Sequence, residues 1–238
     1  MTDVIPAPFP PRIPVRGGGS FPVRRVYCVG RNFAEHAREM GAAAPSASDR
    51  GQPMFFLKPA DALVLDGVVP YPPGTTDLHH EVELVVALGH DASPGVLTTD
   101  AAPSLVYGYA IGLDLTRRDL QAAAKAKGHP WDIAKSFDHC APVSEIVPAN
   151  TVGTLDGRTL TLQVNGSTRQ RGAFADLIWN VPEILHELSK LYALRAGDLV
   201  FMGTPTGVGP LQVGDRFVAG LDDLITLSGV VAPSRSPG

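Results

Sequence analysis

Hydrophobic positions along the chain fall mostly in short apolar runs and in alternating patterns, which are typical of β-strands. Several of these runs are bounded by glycine or proline, as strands usually are. The best strand candidates are 81–88 and 105–115. The other predicted strands are 23–29, 54–57, 62–65 and 199–203.

Three short helices are predicted from residues that can begin or end a helix. They span 32–40, 116–127 and 181–191. Asn32, Thr116 and Asn180 can act as N-caps, and the last two are followed three residues later by Asp119 and Glu183, as in a capping box. Glycines at positions 41 and 128 end the first two helices.

One hairpin is marked by the dipeptide Asn165-Gly166, which lies between two segments of strand character. Asn-Gly is a preferred pair for a two-residue type I′ turn. Glycine and proline are frequent throughout, at 25 and 22 of 238 residues, which indicates many turns. The patterns together predict an α+β fold that is rich in strands and has short helices.

The length of 238 residues favours one compact catalytic domain, because no repeat or linker divides the chain. The first 22 residues are rich in proline and contain three consecutive glycines. We therefore expect residues 1–22 to form an N-terminal arm or edge segment and residues 23–238 to form a single domain.

Composition and charge exclude several classes of function. Lys and Arg number 20 and Asp and Glu number 24, so the net charge is −4 and bulk binding of nucleic acid is excluded. No apolar run reaches the roughly 20 residues of a membrane helix, and no secretory signal is evident. Two cysteines, Cys28 and Cys140, are too few for a disulfide framework. These features favour a cytoplasmic protein without nucleic-acid or membrane partners.

Three acidic residues at strand ends are the first candidates for chemistry. Glu81 and Glu83 are two positions apart, so they share one face of a strand that becomes apolar directly afterwards. Asp114 ends an otherwise uncharged strand. Clustered carboxylates near a core suit Mg²⁺, Mn²⁺ or Ca²⁺ better than zinc.

Other interpretations of these residues remain open at this point. The glutamates can be solvated at the mouth of a strand, and Asp114 can be a partner of a helix dipole. His79 and His80 precede the acids, and hydrogen-bonded packing is the first interpretation for both.

A second candidate is the pair His36 and Glu39, which are neighbours three residues apart on the predicted helix. A carboxylate beside an imidazole raises its basicity, as a general base requires. The alternative is an amphipathic surface helix whose charged residues are solvated.

Two lysines, Lys58 and Lys135, lie among apolar and aromatic neighbours. Each can extend to the surface or serve as the partner of an anion in a pocket. The glycine-rich loop 203–210 lacks the Gly-Lys-Ser/Thr ending of a P-loop, but its backbone and Thr204 can hold a carboxylate.

These segments, in this order, make the chain similar to the fumarylacetoacetate hydrolase family. Each motif is weak alone, but the ordered set, within residues 23–231, is specific. The motifs are Val29-Gly-Arg-Asn-Phe-Ala-Glu-His36, Phe56-Leu-Lys-Pro59, His80-Glu-Val-Glu-Leu84, Gly108-Tyr-Ala-Ile-Gly-Leu-Asp-Leu-Thr116, Ala134-Lys-Ser-Phe137, Val164-Asn-Gly166 and Gly203-Thr-Pro-Thr-Gly-Val-Gly209. The length resembles the acylpyruvase branch of the family. Tyr27-Cys-Val-Gly-Arg-Asn32 and Arg38-Glu-Met-Gly41 look most like its bacterial fumarylpyruvate hydrolases.

The resemblance implies a mixed, barrel-like β-roll, as in the C-terminal domain of the family, and a homodimer. It implies a divalent metal, mostly Mg²⁺, with Mn²⁺ or Ca²⁺ as alternatives. The implied metal ligands are Glu81, Glu83 and Asp114, and the implied catalytic residues are His36 and Glu39 on a lid helix and the pocket lysine Lys135. Phe33 stands where a tyrosine is common, and the loop 42–52 looks longer than usual.

From this resemblance we expect a metal-dependent hydrolase that cleaves a carbon–carbon bond in a short 2,4-dioxo acid. The first candidate substrate is fumarylpyruvate. The residues assigned to substrate binding are Arg31, Lys58, Arg118, Gln121 and Thr204, with Arg38 as a further cation for a second carboxylate. The alternatives are an oxaloacetate decarboxylase, an isomerase or hydratase of dienoic acids, and a non-catalytic metal-binding protein.

Overall fold

The computed structural model describes residues 3–34 and 50–234, and these ranges contain mainly short strands. The strands are β1 (Arg12–Pro14), β2 (Ser20–Pro22), β3 (Arg25–Gly30), β4 (Met54–Lys58), β5 (Leu63–Val64), β6 (Val68–Pro70), β7 (Leu78–His80), β8 (Val82–Leu88), β9 (Val106–Leu113), β10 (Thr116–Arg117), β11 (Ala141–Pro142), β12 (Val147–Pro148), β13 (Thr159–Val164), β14 (Ser167–Ala173), β15 (Asp198–Phe201), β16 (Gly209–Pro210), β17 (Arg216–Leu221) and β18 (Ile225–Ala232).

The helices of the described ranges are short. They are α1 (Arg118–Lys127), α2 (Asp132–Lys135), α3 (Ala149–Val152) and α4 (Val181–Ser189). Single 3₁₀ turns occur at Ala60–Ala62, Ala102–Leu105 and Phe174–Asp176. None of these helices is long and apolar enough to cross a membrane. The predicted helix over 32–40 lies outside the described residues from position 35 onward.

Two mixed sheets contain most of the strands. The larger sheet has the order β12-β9-β8-β15-β3-β4, and the smaller has the order β14-β13-β17-β18-β6. β15 is parallel to β3 and antiparallel to β8, and β18 is parallel to β6. A three-stranded ladder, β10-β7-β16, lies beside them. The expected strand-rich α+β fold with short helices is confirmed.

Strand β8 is buried over its whole length and separates two apolar clusters. Leu84 and Val86 face the cluster that includes the smaller sheet and α4. Val85 and Ala87 face the cluster that includes the first hairpin. Because side chains alternate along a strand, Glu83 lies on the same face as Val85 and Ala87. Burial of each large apolar side chain contributes about 1.5–3 kcal/mol, so this strand is held firmly.

Residues 12–22 pack closely on the body of the protein. β1 and β2 pair around three glycines with positive φ, at positions 17–19. Ile13 and Phe21 are buried against the larger sheet. The part of the expected arm from residue 12 onward is therefore a hairpin that belongs to the core.

Three local predictions are confirmed. Asn165 and Gly166 both have positive φ, at 52° and 77°, as a type I′ turn requires. Asn180 and Glu183 form a complete capping box. Gly128 ends α1 in the left-handed conformation.

The predicted start of the second helix is wrong. α1 begins at Arg118 without a side-chain cap. Thr116 pairs with His79 in the β10–β7 ladder instead, and its hydroxyl donates to the carbonyl of Asp114. Asp119 accepts hydrogen bonds from Thr75 and Thr76, so the proposed capping box does not form. The short helices α2 and α3 were not predicted.

Candidate functional site

Three carboxylates meet where two adjacent strands end. Glu81 precedes β8, Glu83 is its second residue, and Asp114 follows β9. The antiparallel register places Glu83 opposite Gly112, and the Asp114 amide donates to the carbonyl of Glu81 at 2.8 Å. One oxygen from each carboxylate lies within 4.8 Å of the others. The strand-end acids predicted from the sequence are therefore brought together.

Burial excludes the solvated interpretation of these glutamates, since Glu81 and Glu83 are only 5% and 2% exposed. Asp114 is 1% exposed, and α1 begins four residues after it. Asp119, not Asp114, is the acid in the first turn of that helix. The interpretation of Asp114 as a helix-dipole partner is therefore wrong.

Three cations surround the acids. Lys135 Nζ lies 2.7 Å from Glu81 Oε2, from Asp114 Oδ2 and from Thr116 Oγ1. Arg118 donates to Glu81 Oε1. Lys58 Nζ lies 2.8 Å from Asp114 Oδ1. Buried charges are tolerated only when they are paired in this way.

Of the three acids, Glu83 is the one whose negative charge is balanced least by other protein groups. Its Oε2 accepts a hydrogen bond of 2.7 Å from the amide of Gly203. Burial, followed by the negative charges of Asp114 and Glu81, raises the pKa of Glu83 well above its usual value. Additional positive charge beside the three carboxylates would lower that pKa again.

The donor set fits a hard divalent cation. All three side chains offer carboxylate oxygens, which Mg²⁺ and Mn²⁺ prefer. Asp114 Oδ1 is buried, and no donor of the described residues is aligned with it for a hydrogen bond, although Lys58 is close enough for an ion pair. Glu81, Glu83 and Asp114 are therefore the residues that could hold such an ion.

The two histidines beside the acids make hydrogen bonds, as the packing interpretation expects. His80 is buried and its Nδ1 lies 2.9 Å from Gln170 Oε1. Arg118 Nε donates to His79 Nδ1, so the other ring nitrogen of His79 carries the proton and donates to Asp77 at 2.9 Å. Burial lowers the pKa of both rings.

Lys135 and Lys58 both remain protonated despite burial. Burial alone would lower the pKa of Lys135, but Asp114 and Glu81 outweigh it and raise the pKa. Burial likewise opposes the charge of Lys58, whereas Asp114 raises its pKa. Both ammonium groups therefore act as fixed positive charges at the site.

A cavity opens above the acids. Arg31, Arg118, Gln121 and Thr204, which the sequence assigned to substrate, line it together with Lys135. Lys58 is not one of the described residues that line this cavity. Its ammonium group lies behind Asp114 and also donates to the carbonyl of Leu115 at 3.1 Å. The predicted contact of Lys58 with substrate is therefore corrected to a role in positioning Asp114.

The cavity wall is held by two side-chain networks. The Asn32 amide donates to the carbonyls of Met202 and Trp179, at 2.8 and 3.0 Å, and so fixes the residue that follows Arg31. Gln170 Nε2 donates to Thr204 Oγ1 at 2.8 Å. His36, Arg38 and Glu39 lie outside the described residues.

Among the lining residues that were not assigned to the site from the sequence are Met54, Phe56, Lys125 and Trp131. One of them had a detectable pattern. Lys125 lies four residues after Gln121 and seven after Arg118, so all three share a face of α1. The other three reach the cavity through tertiary packing, which no local pattern indicates.

Comparison with known proteins places the chain in a family. Residues 25–232 match the family described as fumarylacetoacetate hydrolase C-terminal. The fumarylpyruvate hydrolase of Pseudomonas aeruginosa, solved with Mn²⁺ and pyruvate, superposes with a TM-score of 0.90 at 42% identity and covers 98% of this chain and 100% of its own.

Two curated relatives differ in activity. A fumarylpyruvate hydrolase of Ralstonia is 44% identical over 77% of this chain and 95% of its own length. The oxaloacetate tautomerase YcgM of Escherichia coli is 42% identical over 85% of this chain and 90% of its own length. These two relatives therefore agree on the family but carry the names of two different activities.

Proposed function

The chain belongs to the fumarylacetoacetate hydrolase family, and from this premise we propose that it is a metal-dependent hydrolase that cleaves fumarylpyruvate into fumarate and pyruvate. The observation that carries the proposal is the buried triad Glu81, Glu83 and Asp114, with Lys135 beside it, at the base of a cavity. The neighbour that contains Mn²⁺ and pyruvate supports a site for a metal and a 2-oxo acid.

A Mg²⁺ or Mn²⁺ ion, when bound, supplies a Lewis acid that polarises the 2-oxo group and offsets negative charge there. Glu81, Glu83 and Asp114 would hold it. Lys135 donates to Thr116 and to two of these acids, and in this proposal its ammonium group would balance negative charge that grows on the departing pyruvate.

His36 and Glu39 are proposed as the pair that activates water. His36 would take a proton from the water that attacks C4, and Glu39 would hold the imidazole in the required tautomer. The C3–C4 bond then breaks, the hydroxyl oxygen remains in the new carboxyl group of fumarate, and C3 of pyruvate gains a proton. No oxidant or further reactant is required.

A second candidate is tautomerisation of oxaloacetate, because a 42% identical relative carries that name. This reaction moves a proton between carbon and oxygen and needs no attacking water. One observation favours hydrolysis: the hydrolase neighbour superposes with a TM-score of 0.90 over 98% of this chain. The further cations of the cavity do not distinguish the two candidates, because oxaloacetate is also a dicarboxylate.

Kinetics on a substrate panel test the proposal. We expect fumarylpyruvate and acetylpyruvate to be cleaved, and oxaloacetate decarboxylation and tautomerisation to be slower. Loss of His36 in His36→Ala should reduce hydrolysis about 10²–10⁴-fold and affect the oxaloacetate reactions less. Rapid tautomerisation without acylpyruvate cleavage would instead support the second candidate.

The remaining expectations are part of the same proposal. We expect Mg²⁺ to support activity as well as Mn²⁺ and the protein to be a homodimer in the cytoplasm. Light scattering during gel filtration measures the mass of the assembly directly. A homodimer should have a mass of about twice 25.1 kDa.

A further inference from the structure

The outer wall of the cavity carries positive charge that the acids do not neutralise. Arg118, Gln121 and Lys125 line the cavity from one face of α1, and Arg31 lines it from the end of β3. Arg118 is already engaged by Glu81, Gln121 and His79. Lys125 and Arg31 form no ion pair with any carboxylate of the described residues.

Lys125 is held at this wall by an aromatic contact. Its ammonium group lies 5.1 Å from the centre of the Trp131 ring, and the side chain is half-buried. Burial, followed by the positive charges of Arg118 and Arg31, lowers the pKa of Lys125 to about 8. The three cations are therefore close enough to repel one another.

Arg31 adopts a backbone conformation that favours glycine, with φ at 58°. The hydrogen bonds of Asn32 to Met202 and Trp179 hold the chain in that conformation. Strained residues of this kind persist where the surroundings fix them, and they cluster at binding sites. Here the conformation keeps an arginine at the cavity mouth.

We propose that Lys125, with Arg31, receives the distal carboxylate of a dicarboxylic acylpyruvate and so selects dicarboxylic over monocarboxylic substrates. The inference rests on the proposed function, because it assumes that the 2-oxo acid end of the substrate lies at the acidic triad. Lys125 is a specificity-determining residue in this account, and the chemistry does not require it.

The spacing along α1 suits such a substrate. Seven residues separate Arg118, which contacts Glu81, from Lys125, and this corresponds to about 10 Å along the helix. The two carboxyl carbons of an extended fumarylpyruvate are about 7 Å apart. The flexible lysine side chain can span the difference.

The alternative is a structural role for Lys125, because a lysine near a helix C-terminus stabilises the helix through the negative end of its dipole. Lys127 provides the matched control. It lies in the same last turn, is exposed and does not line the cavity. Lys127→Met removes the same charge from the same helix end and leaves the cavity unchanged.

Calorimetry on the Mn²⁺-loaded protein tests the inference. The probes are 2-oxopimelate, whose carboxyl carbons have the spacing of those in fumarylpyruvate, and 2-oxoheptanoate, in which a methyl group replaces the distal carboxylate. We expect Lys125→Met to reduce the preference for 2-oxopimelate by about ten-fold or more. Lys127→Met should retain the preference, and Lys125→Arg should restore most of it. An equal preference in Lys125→Met and Lys127→Met would overturn the inference.

A kinetic comparison separates this inference from the proposed function. The ratio of kcat/KM for fumarylpyruvate to that for acetylpyruvate should fall in Lys125→Met by a similar factor, mainly through KM. If the wild type cleaves neither acylpyruvate, the proposed function fails, but the calorimetric preference still decides the role of Lys125. Equal losses on both substrates would show that Lys125 only supports Trp131 and α2.

Discussion

Glu83 is the residue whose charge the protein accommodates least well. Its carboxylate is buried, is close to two other acids, and accepts a hydrogen bond from the amide of Gly203. The substitution Glu83→Gln removes that charge and keeps the shape of the side chain. It therefore separates metal binding from folding.

We expect Glu83→Gln to bind Mn²⁺ far more weakly than the wild type. The loss of affinity should exceed the factor of about 10–100 that is typical when a residue behind a metal ligand is removed. The metal-free variant should be at least as stable as the metal-free wild type, because an unfavourable buried charge is gone. Calorimetry and urea unfolding measure the two effects. Glu145→Gln, at an exposed pair with Arg16, is the control. Unchanged Mn²⁺ affinity in Glu83→Gln would remove Glu83 from the metal site.

The pKa of Lys125 predicts how substrate preference depends on pH. With a pKa of about 8, Lys125 is charged below pH 8 and neutral above it. The other charged groups that influence it are Arg118, Arg31, Glu81 and Lys135. The arginines do not titrate in this range.

The preference for 2-oxopimelate over 2-oxoheptanoate should therefore decline as the pH rises from about 7 to about 9. A bound carboxylate stabilises the charged lysine, so the midpoint in the complex should lie above 8. In Lys125→Arg the preference should be constant across the same range. A decline of equal size in Lys125→Arg would assign the effect to another group.

The roles of single residues at the site could be predicted from the sequence in some cases and not in others. The triad was predictable, because alternation placed Glu81 and Glu83 on one face and Asp114 was the only charge in its strand. Lys58 was misassigned, because the sequence does not show that its side chain points behind Asp114. Burial and pairing depend on tertiary contacts, which local patterns do not contain.

The elements of the fold followed local rules except where tertiary pairing competed with them. Asn180 and Asn165-Gly166 gave correct predictions because their signals are satisfied within a few residues. Thr116 carried an equally good capping signal. Its backbone was used by the ladder with β7, however, so the helix began later.

At the level of elements, close packing of β8 and β9 fixes the distance between the acids. Gly112 lies opposite Glu83, and a Cβ atom at this position would be 2.5 Å from the Phe201 ring and 2.9 Å from Val85. Only glycine allows the strands to approach in this way.

Gly112→Ala should therefore destabilise the protein by about 1–3 kcal/mol and weaken Mn²⁺ binding, because the strand must shift. Gly209→Ala is a suitable control, since the nearest atom to its Cβ would be 3.5 Å away. Urea unfolding and calorimetry check both effects. Wild-type stability and affinity in Gly112→Ala would show that the spacing of the strands is not critical.

At the level of the whole molecule, the N-terminal hairpin is part of the core. The sequence predicted an arm or edge segment because the first 22 residues of the chain are rich in proline and contain three consecutive glycines. Ile13 is nevertheless fully buried, in a cluster with residues of β3, β8 and β15. The strand order, with β15 between β8 and β3, joins segments far apart in the chain and could not be predicted from local patterns.

Ile13→Ala should accordingly reduce the free energy of unfolding by about 2–5 kcal/mol. Val4→Ala should have little effect, because Val4 is 98% exposed. Thermal or urea unfolding distinguishes the two. If both variants were as stable as the wild type, the hairpin would not contribute to the core.

The most direct test of the central claim is the product composition from fumarylpyruvate, followed by proton NMR, with the chelated protein and after addition of Mn²⁺ or Mg²⁺. We expect equal amounts of fumarate and pyruvate with the metal, and intact substrate without it, because Glu81, Glu83 and Asp114 would hold the ion that the reaction needs. Equal cleavage by the chelated and the reloaded protein, or intact fumarylpyruvate in the presence of either metal, would contradict it.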